Sequence, residues 1–268
     1  MSFVNPLRRR LASGGVLRGA WLSSPSLVTA EAVAAAGFDY VCVDLQHGAI
    51  DYADAVPLFA MIQARGPVPL ARLLDHDATT IGKYLDAGAL GVVVPMVETA
   101  AEAAAVVAAT RYPPRGRRSF GPIRAATAVG SYEAADLEQV FTAVMVETKT
   151  GLDNVADIAA TPGVDAIYVG PFDLALALGL PGDYESDNPA HVDAVARVQR
   201  ACAQAGIAAG IHCRDGAMAG RRLTQGFRMT TVIDDVTLVR SAAAIELARA
   251  VGVPRDDNQW DDWSASME

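Results

Sequence analysis

Eight short apolar runs, rich in β-branched residues and alanine, recur along the chain, and a segment of helical character follows each. The runs are residues 16–22 (VLRGAWL), 40–45 (YVCVDL), 68–73 (VPLARL), 91–96 (GVVVPM), 141–146 (FTAVMV), 166–169 (AIYV), 207–211 (IAAGI) and 229–233 (MTTVI). Helices are predicted over 26–36, 51–64, 78–87 and 99–110, then from strand five to near Pro162, through Gly206, to Gln225, and over 236–250. Unbroken apolar runs suit parallel strands that are covered on both faces. Strict alternation with short connections predicts an α/β protein, a (β/α)8 TIM barrel. Only the connection over 111–130, read as irregular, and the one after strand six are long. A doubly wound open sheet is the alternative, but no GxGxxG follows the first run.

One barrel domain is predicted over residues 1–254, with an acidic tail at 255–268 (RDDNQWDDWSASME). Trp260 and Trp263 make that tail either a free end or an anchor on a neighbouring subunit. The 268 residues, 51% of them hydrophobic, are enough for a barrel core. A net charge of −9 lacks the basic face of a nucleic-acid binder. Three cysteines, Cys42, Cys202 and Cys213, are too few and too scattered for a disulfide framework or a structural zinc site. No apolar run nears the roughly 20 residues of a membrane span, and no signal-peptide pattern opens the chain. A reducing cytoplasm is the expected setting, with no membrane or nucleic-acid partner.

Active sites of such barrels lie at the C-terminal ends of the strands. The polar residues expected there are Asp44 and His47, Arg72, Glu98, Glu147, Asp173, His212, and the pair Asp234 and Asp235. In YVCVDLQHGAID, an apolar run delivers an acid and an imidazole to its end, and Gly48 lets the backbone turn away. His47 is there either a general base or the cap of a turn. Glu147 and Asp173 sit at neighbouring strand tips, where two unpaired carboxylates would repel each other. A divalent cation removes that repulsion, and oxygen-only ligation suits Mg2+ or Mn2+. Helix capping accounts for both acids equally well from spacing alone. Arg72 calls for an anionic partner, either substrate or a neighbouring loop acid. Asp86 ends the third helix, where an acid is mildly unfavourable beside the dipole.

The long connection carries Arg111, Arg115, Arg117 and Arg118. It is read as a loop that closes over the site onto a substrate carboxylate, or else as solvated surface or a subunit contact. His212 and Cys213 read as core or rim residues, and His76 and His191 carry no chemical pattern. GLPGD at 179–183 is a turn and not a phosphate loop.

Taken together, VDLQHG, PLARL, YLDAGALGVVVPMVET, TRYPPRGRRSFG, VMVETKTGLDNV and VGPFDLALALG resemble the HpcH/HpaI aldolase family over residues 3–251. The resemblance implies a class II, metal-dependent pyruvate aldolase of the phosphoenolpyruvate/pyruvate barrel superfamily. Its substrates would be a 4-hydroxy-2-oxo acid, pyruvate and an aldehyde, and its cofactor Mg2+ or Mn2+, with Co2+ also admitted. It implies Glu147 and Asp173 as metal ligands and His47 as the acid/base residue. It implies Arg72 as donor to the keto oxygen, and Asp44 as the carboxylate that orients and charges His47. Asp86 is implied to raise that histidine's basicity across a subunit interface, and the backbone at Phe172 and Asp173 to receive the substrate carboxylate.

A homo-oligomer, a hexamer with the last helix exchanged, is implied as well. The chain departs from the family pattern in three places. Met145 stands where some members have a substrate-contacting glutamine, Phe172 where a small residue is common, and Gln46 where glutamate is frequent. Competing readings are a Schiff-base aldolase using Lys83 or Lys149, a citramalyl- or malyl-CoA type lyase, and a non-catalytic binding barrel.

Overall fold

The computed structural model describes residues 2–252, so the predicted tail with Trp260 and Trp263 lies outside the described residues. The chain opens with α1 (Pro6–Ala12), and β1 (Leu17–Leu22), α2 (Leu27–Ala34), β2 (Tyr40–Asp44) and α3 (Tyr52–Ala64) follow. Next come β3 (Val68–Arg72), α4 (Ala78–Asp86), β4 (Gly91–Val94) and α5 (Ala100–Thr110). The helices α6 (Ala125–Val129) and α7 (Ala134–Leu137) precede β5 (Phe141–Val146), and α8 (Lys149–Asp153) and α9 (Val155–Ala159) follow it. The chain continues through β6 (Ala166–Val169), α10 (Pro171–Ala177), α11 (Pro189–Ala205), β7 (Ala208–Ile211), α12 (Gly216–Thr224), β8 (Met229–Asp234) and α13 (Asp235–Ala250). The strands close in sequence order, β1 through β8 and back to β1, and every pairing is parallel.

Side-chain parity explains how one set of strands makes two cores. Along β2, Val41 and Val43 join the layer shared with the helices. Tyr40 and Cys42 instead point inward and pack with Leu70, Phe141, Met145, Tyr168 and Met229. Because alternate residues share a face, the inward series continues past the apolar run into the polar residue at the strand's end. Tyr40 and Cys42 lead to Asp44, Val68 and Leu70 lead to Arg72, and Phe141, Ala143 and Met145 lead to Glu147. The register also sets Asp44 directly opposite Arg72. Gly19 makes room for the central phenol, since a Cβ there would come within 2.0 Å of the Tyr40 ring.

Several elements differ from the expectation. α1 was not anticipated; Asn5 caps it by accepting from the Leu7 N–H at 3.0 Å, and Pro6 occupies its first turn. It closes the N-terminal end of the barrel: Asn5 donates to the carbonyls of Leu90 and Gln139, and Arg8 pairs with Asp165 at 2.8 Å. The connection over 111–130 is not wholly irregular, because α6 lies inside it. The single helix expected after β5 is two short ones, broken at Asn154, whose side-chain amide donates to the Glu98 carbonyl at 2.9 Å. Among the described residues no helix is long and apolar enough to cross a membrane.

Candidate active site

An open cavity of about 490 Å³ lies at the C-terminal end of the barrel, where Arg72, His47, Met145, Phe172 and Asp173 meet. Arg72 is buried, at 8% exposure, and its guanidinium reaches Asp44 Oδ2 at 3.3 Å. The other oxygen of Asp44 accepts the backbone N–H groups of Gln46 at 3.0 Å and His47 at 3.2 Å. Asp44 therefore fixes the guanidinium with one oxygen and the turn that presents His47 with the other. Within the chain Asp44 bonds the main chain of His47, and the exposed ring is set at the cavity rim by the turn.

Glu147 is 3% exposed. Its Oε1 accepts the Met96 N–H at 2.9 Å, and Met96 is, among the described residues, the one non-glycine with positive φ, at 56°. Glu147 Oε2 is buried with no hydrogen-bond partner. Burial pushes this carboxyl above its ordinary value; the Met96 N–H and Arg72 pull it back, and the nearby charge of Asp173 adds to the rise.

Neither acid makes a side-chain cap hydrogen bond, although Asp173 stands in the first turn of α10, where the helix dipole favours an acid. Thr148 caps α8, accepting from Gly151 at 3.0 Å. The N-cap of α10, Gly170, carries no side chain. The two carboxylates are thus a buried oxygen without a partner beside an exposed acid, a donor set suited to a hard divalent cation completed by water and substrate. Among the described residues no group of three or more His, Cys, Asp or Glu side chains could hold a metal, so protein ligation would rest on this pair.

Other predicted residues lie elsewhere. Asp86 meets Arg118 at 2.6 Å, does not line the cavity, and is pushed above its ordinary range by burial. The arginine-bearing connection does not close over the site. Arg118 is buried against Asp86, the Leu137 carbonyl and the Tyr112 ring, while Arg111 donates to the Glu138 carbonyl and Arg115 pairs with the Glu138 carboxylate. Asp234 caps α13 by accepting from Thr237, and buried Asp235 accepts the Ser23 N–H at 2.8 Å, so both serve structure. Glu98 contributes its carbonyl to Asn154 and does not line the cavity. Lys149 pairs with Asp153 on the surface, and Lys83 sits over the Tyr52 ring; neither reaches the cavity.

Sequence reasoning missed Trp21 and Tyr184, which line the cavity. Trp21 follows Leu17 and Gly19 on the inward face of β1, so strand parity could have found it. Tyr184 lies in the connection after α10, and its ring is 5.5 Å from Phe172 and 5.9 Å from His212. Only the length of that connection marked it.

The family model described as HpcH/HpaI aldolase/citrate lyase matches residues 18–242. A hydroxypyruvate/pyruvate aldolase of Rhizorhabdus wittichii is 37% identical over 248 residues, covering 92% of this chain and 99% of that protein. A 2-dehydro-3,6-dideoxy-6-sulfogluconate aldolase of Pseudomonas putida is 36% identical, covering 84% of this chain and 89% of its own. A crystal structure of an HpcH/HpaI aldolase/citrate lyase family protein from Burkholderia cenocepacia superposes with a TM-score of 0.85 at 37% identity, covering 92% of this chain and all of the other.

Proposed function

The chain belongs to the HpcH/HpaI aldolase/citrate lyase family, and on that premise we propose that it is a carbon–carbon lyase that reversibly cleaves a 4-hydroxy-2-oxo acid to pyruvate and an aldehyde. One observation carries the assignment to this cavity: the partnerless buried oxygen of Glu147 lies against Gly170, which lines the cavity together with Asp173, Arg72 and His47. Glu147 and Asp173 would hold the family's divalent metal, with Mg2+ or Mn2+ favoured by an all-oxygen set and Co2+ admitted. When bound, the metal supplies Lewis-acid polarisation of the 2-oxo acid.

The protein's own groups account for the remaining steps. Arg72, already held by Asp44, donates to the keto oxygen and stabilises negative charge as it develops there. In cleavage His47 takes the proton from the C4 hydroxyl. The O–H electron pair forms the aldehyde carbonyl, the C3–C4 bond breaks, and its electrons pass into the enolate of pyruvate. Protonation at C3 then gives pyruvate. The backbone at Phe172 and Asp173, in the first turn of α10, would receive the substrate carboxylate. Met145, 3% exposed beneath the cavity, offers that substrate an apolar contact.

We extend the reading to a cytoplasmic homo-oligomer. Three free, buried cysteines suit a reducing compartment. The apolar side chains that α13 leaves exposed suit a subunit interface, in line with the hexamer that the family resemblance implies. In such an assembly Asp86 would act on a neighbour's His47, since within its own chain it is turned to Arg118. The test is turnover of 4-hydroxy-2-oxo acids by chelated and metal-replenished enzyme, together with borohydride treatment in the presence of pyruvate. The expected result is loss of activity in EDTA, recovery with divalent metal and no covalent adduct. Pyruvate trapped on Lys149 would overturn the metal reading.

A further inference from the structure

In a closed ring of eight strands β7 lies opposite β3, so His212, which follows β7, faces Arg72 from across the cavity. If the 2-oxo acid end of the substrate occupies the side of Arg72, Glu147 and Asp173, the aldehyde-derived end extends toward His212. The wall around it is aromatic. The His212 ring meets Trp21 edge-on, with centroids 5.1 Å apart and planes at 89°. Tyr184 tilts over it, with Phe172 behind. Among the described residues Arg72 is the only lysine or arginine lining the cavity, so an anionic aldehyde would find no second cation.

A hydrogen-bond chain ties the Nδ1 side of His212 to the barrel interior. Thr231 Oγ1 lies 3.3 Å from His212 Nδ1, and the buried Tyr168 hydroxyl also meets Thr231 Oγ1. Burial pushes the Tyr168 phenol well above its ordinary value, so it stays a donor. When Tyr168 donates to Thr231 and Thr231 to Nδ1, the ring proton sits on Nε2, and this is the polarity that the proposal below takes. The hydrogen bond that His212 makes through its ring to a described residue runs through Nδ1. Burial first, and Arg72 second, push the imidazole down to about 4, so the ring is neutral near pH 7.

We propose that His212 presents its Nε2–H to the cavity as the donor that reads a hydroxyl on the aldehyde-derived half of the substrate, with Thr231 and Tyr168 as positioning residues, so that the preferred acceptors are small hydroxylated aldehydes. The proposal rests on the aldolase reading above. Its physical basis is the aromatic wall: an acceptor without the hydroxyl leaves a desolvated N–H unpaired, which a polar site rejects.

The test compares glycolaldehyde with propionaldehyde, which match in size, as acceptors for pyruvate in the metal-supplemented enzyme. Wild type is expected to favour glycolaldehyde in kcat/KM by about tenfold or more. His212→Phe should bring that ratio to about one, with the change in KM for glycolaldehyde. His212→Gln, which keeps a donor, should retain most of the preference, and Thr231→Val should erode it, again through KM. Both aldehydes are measured on the same preparation, so partial misfolding cancels in the ratio, and the Gln and Val variants decide the matter should the Phe variant not fold.

An equal use of the two aldehydes by wild type, or an unchanged ratio in His212→Phe, overturns the proposal. Exchange of the pyruvate methyl protons in heavy water by the wild-type enzyme separates the two readings. Exchange without aldehyde discrimination sinks the role of His212 alone. No exchange and no condensation with either aldehyde sinks the aldolase reading and this proposal with it.

Discussion

Asp44 and Glu147 are both buried acids in this site, yet their surroundings set them apart. Asp44 is satisfied by two backbone N–H groups and a guanidinium, whereas Glu147 keeps one oxygen with no partner. Truncating Arg72 therefore has two effects. Arg72→Ala should lower turnover by roughly 100-fold or more, because the donor to the developing charge is lost. Asp44 retains its two N–H donors, so the fold should survive with a lowered Tm, which circular dichroism would read; near-normal turnover would remove Arg72 from the chemistry. For Glu147 the sign is the reverse. Its folded-state pKa is raised by burial, so the stability linked to its proton is present below the ordinary carboxylate pKa and is lost as pH rises through the raised value. At neutral pH the metal-free protein carries that penalty. Glu147→Gln, which keeps an acceptor for the Met96 N–H, should raise Tm in EDTA by about 2–4 °C, the shift of each kcal/mol in a chain of this size. The same substitution should abolish the rise in Tm that added metal gives the wild type.

The joint between β6 and α10 shows how closely an element boundary is fitted to the site. Gly170 has an ordinary backbone, with φ −91°, so its need for glycine is steric. A Cβ there would lie 2.6 Å from Glu147 Oε2 and 3.4 Å from the Met145 methyl. Gly170→Ala should displace the Glu147 carboxylate and weaken metal binding by about tenfold or more, as loss of a supporting contact at a metal site does. Isothermal titration of divalent metal would measure it, and unchanged affinity would mean that the carboxylate can move aside freely. Joints of this kind also mark what the sequence made legible. The strands were readable because apolar runs must be covered on both faces, and Glu147, Asp173, Arg72 and His47 were readable as the polar groups at their ends. Helices of four to seven residues, such as α1 and α6 to α9, complete too few turns to show a 3.6-residue period. Partners across the fold were hidden too. Nothing in the order of residues pairs Arg118 with Asp86, and so the arginines of the long connection read as substrate ligands, solvated surface or a subunit contact, although Arg118 joins α4 to α7. His212 read as packing, because its role depends on Thr231 and Trp21, which neighbouring strands bring to it.

At the scale of the molecule, α13 is the element that a single barrel leaves least explained. It runs for 16 residues, yet Asp235 is its one buried residue. Val236, Leu238, Val239 and Leu247 lie exposed along it, whereas the other long helices bury apolar side chains against the strands. An exposed apolar face of this kind suits the homo-oligomer proposed above, in which an identical helix offered by each copy would be exchanged symmetrically. In the proposed assembly Asp86 would serve a neighbour's His47, because within the described residues it is turned to Arg118. Assembly and activity should therefore fall together. Val239→Glu combined with Leu247→Glu places charge on the exposed face of α13, far in sequence from every catalytic residue, and should lower the mass measured by sedimentation. Turnover should fall with it, roughly tenfold or more, the effect expected when a general base loses its tuning, while circular dichroism stays barrel-like. Asp86→Asn in the intact assembly should give a comparable loss and shift the pH profile of kcat/KM. A fully active monomer would separate the two effects and return Asp86 to its bond with Arg118 as its whole role.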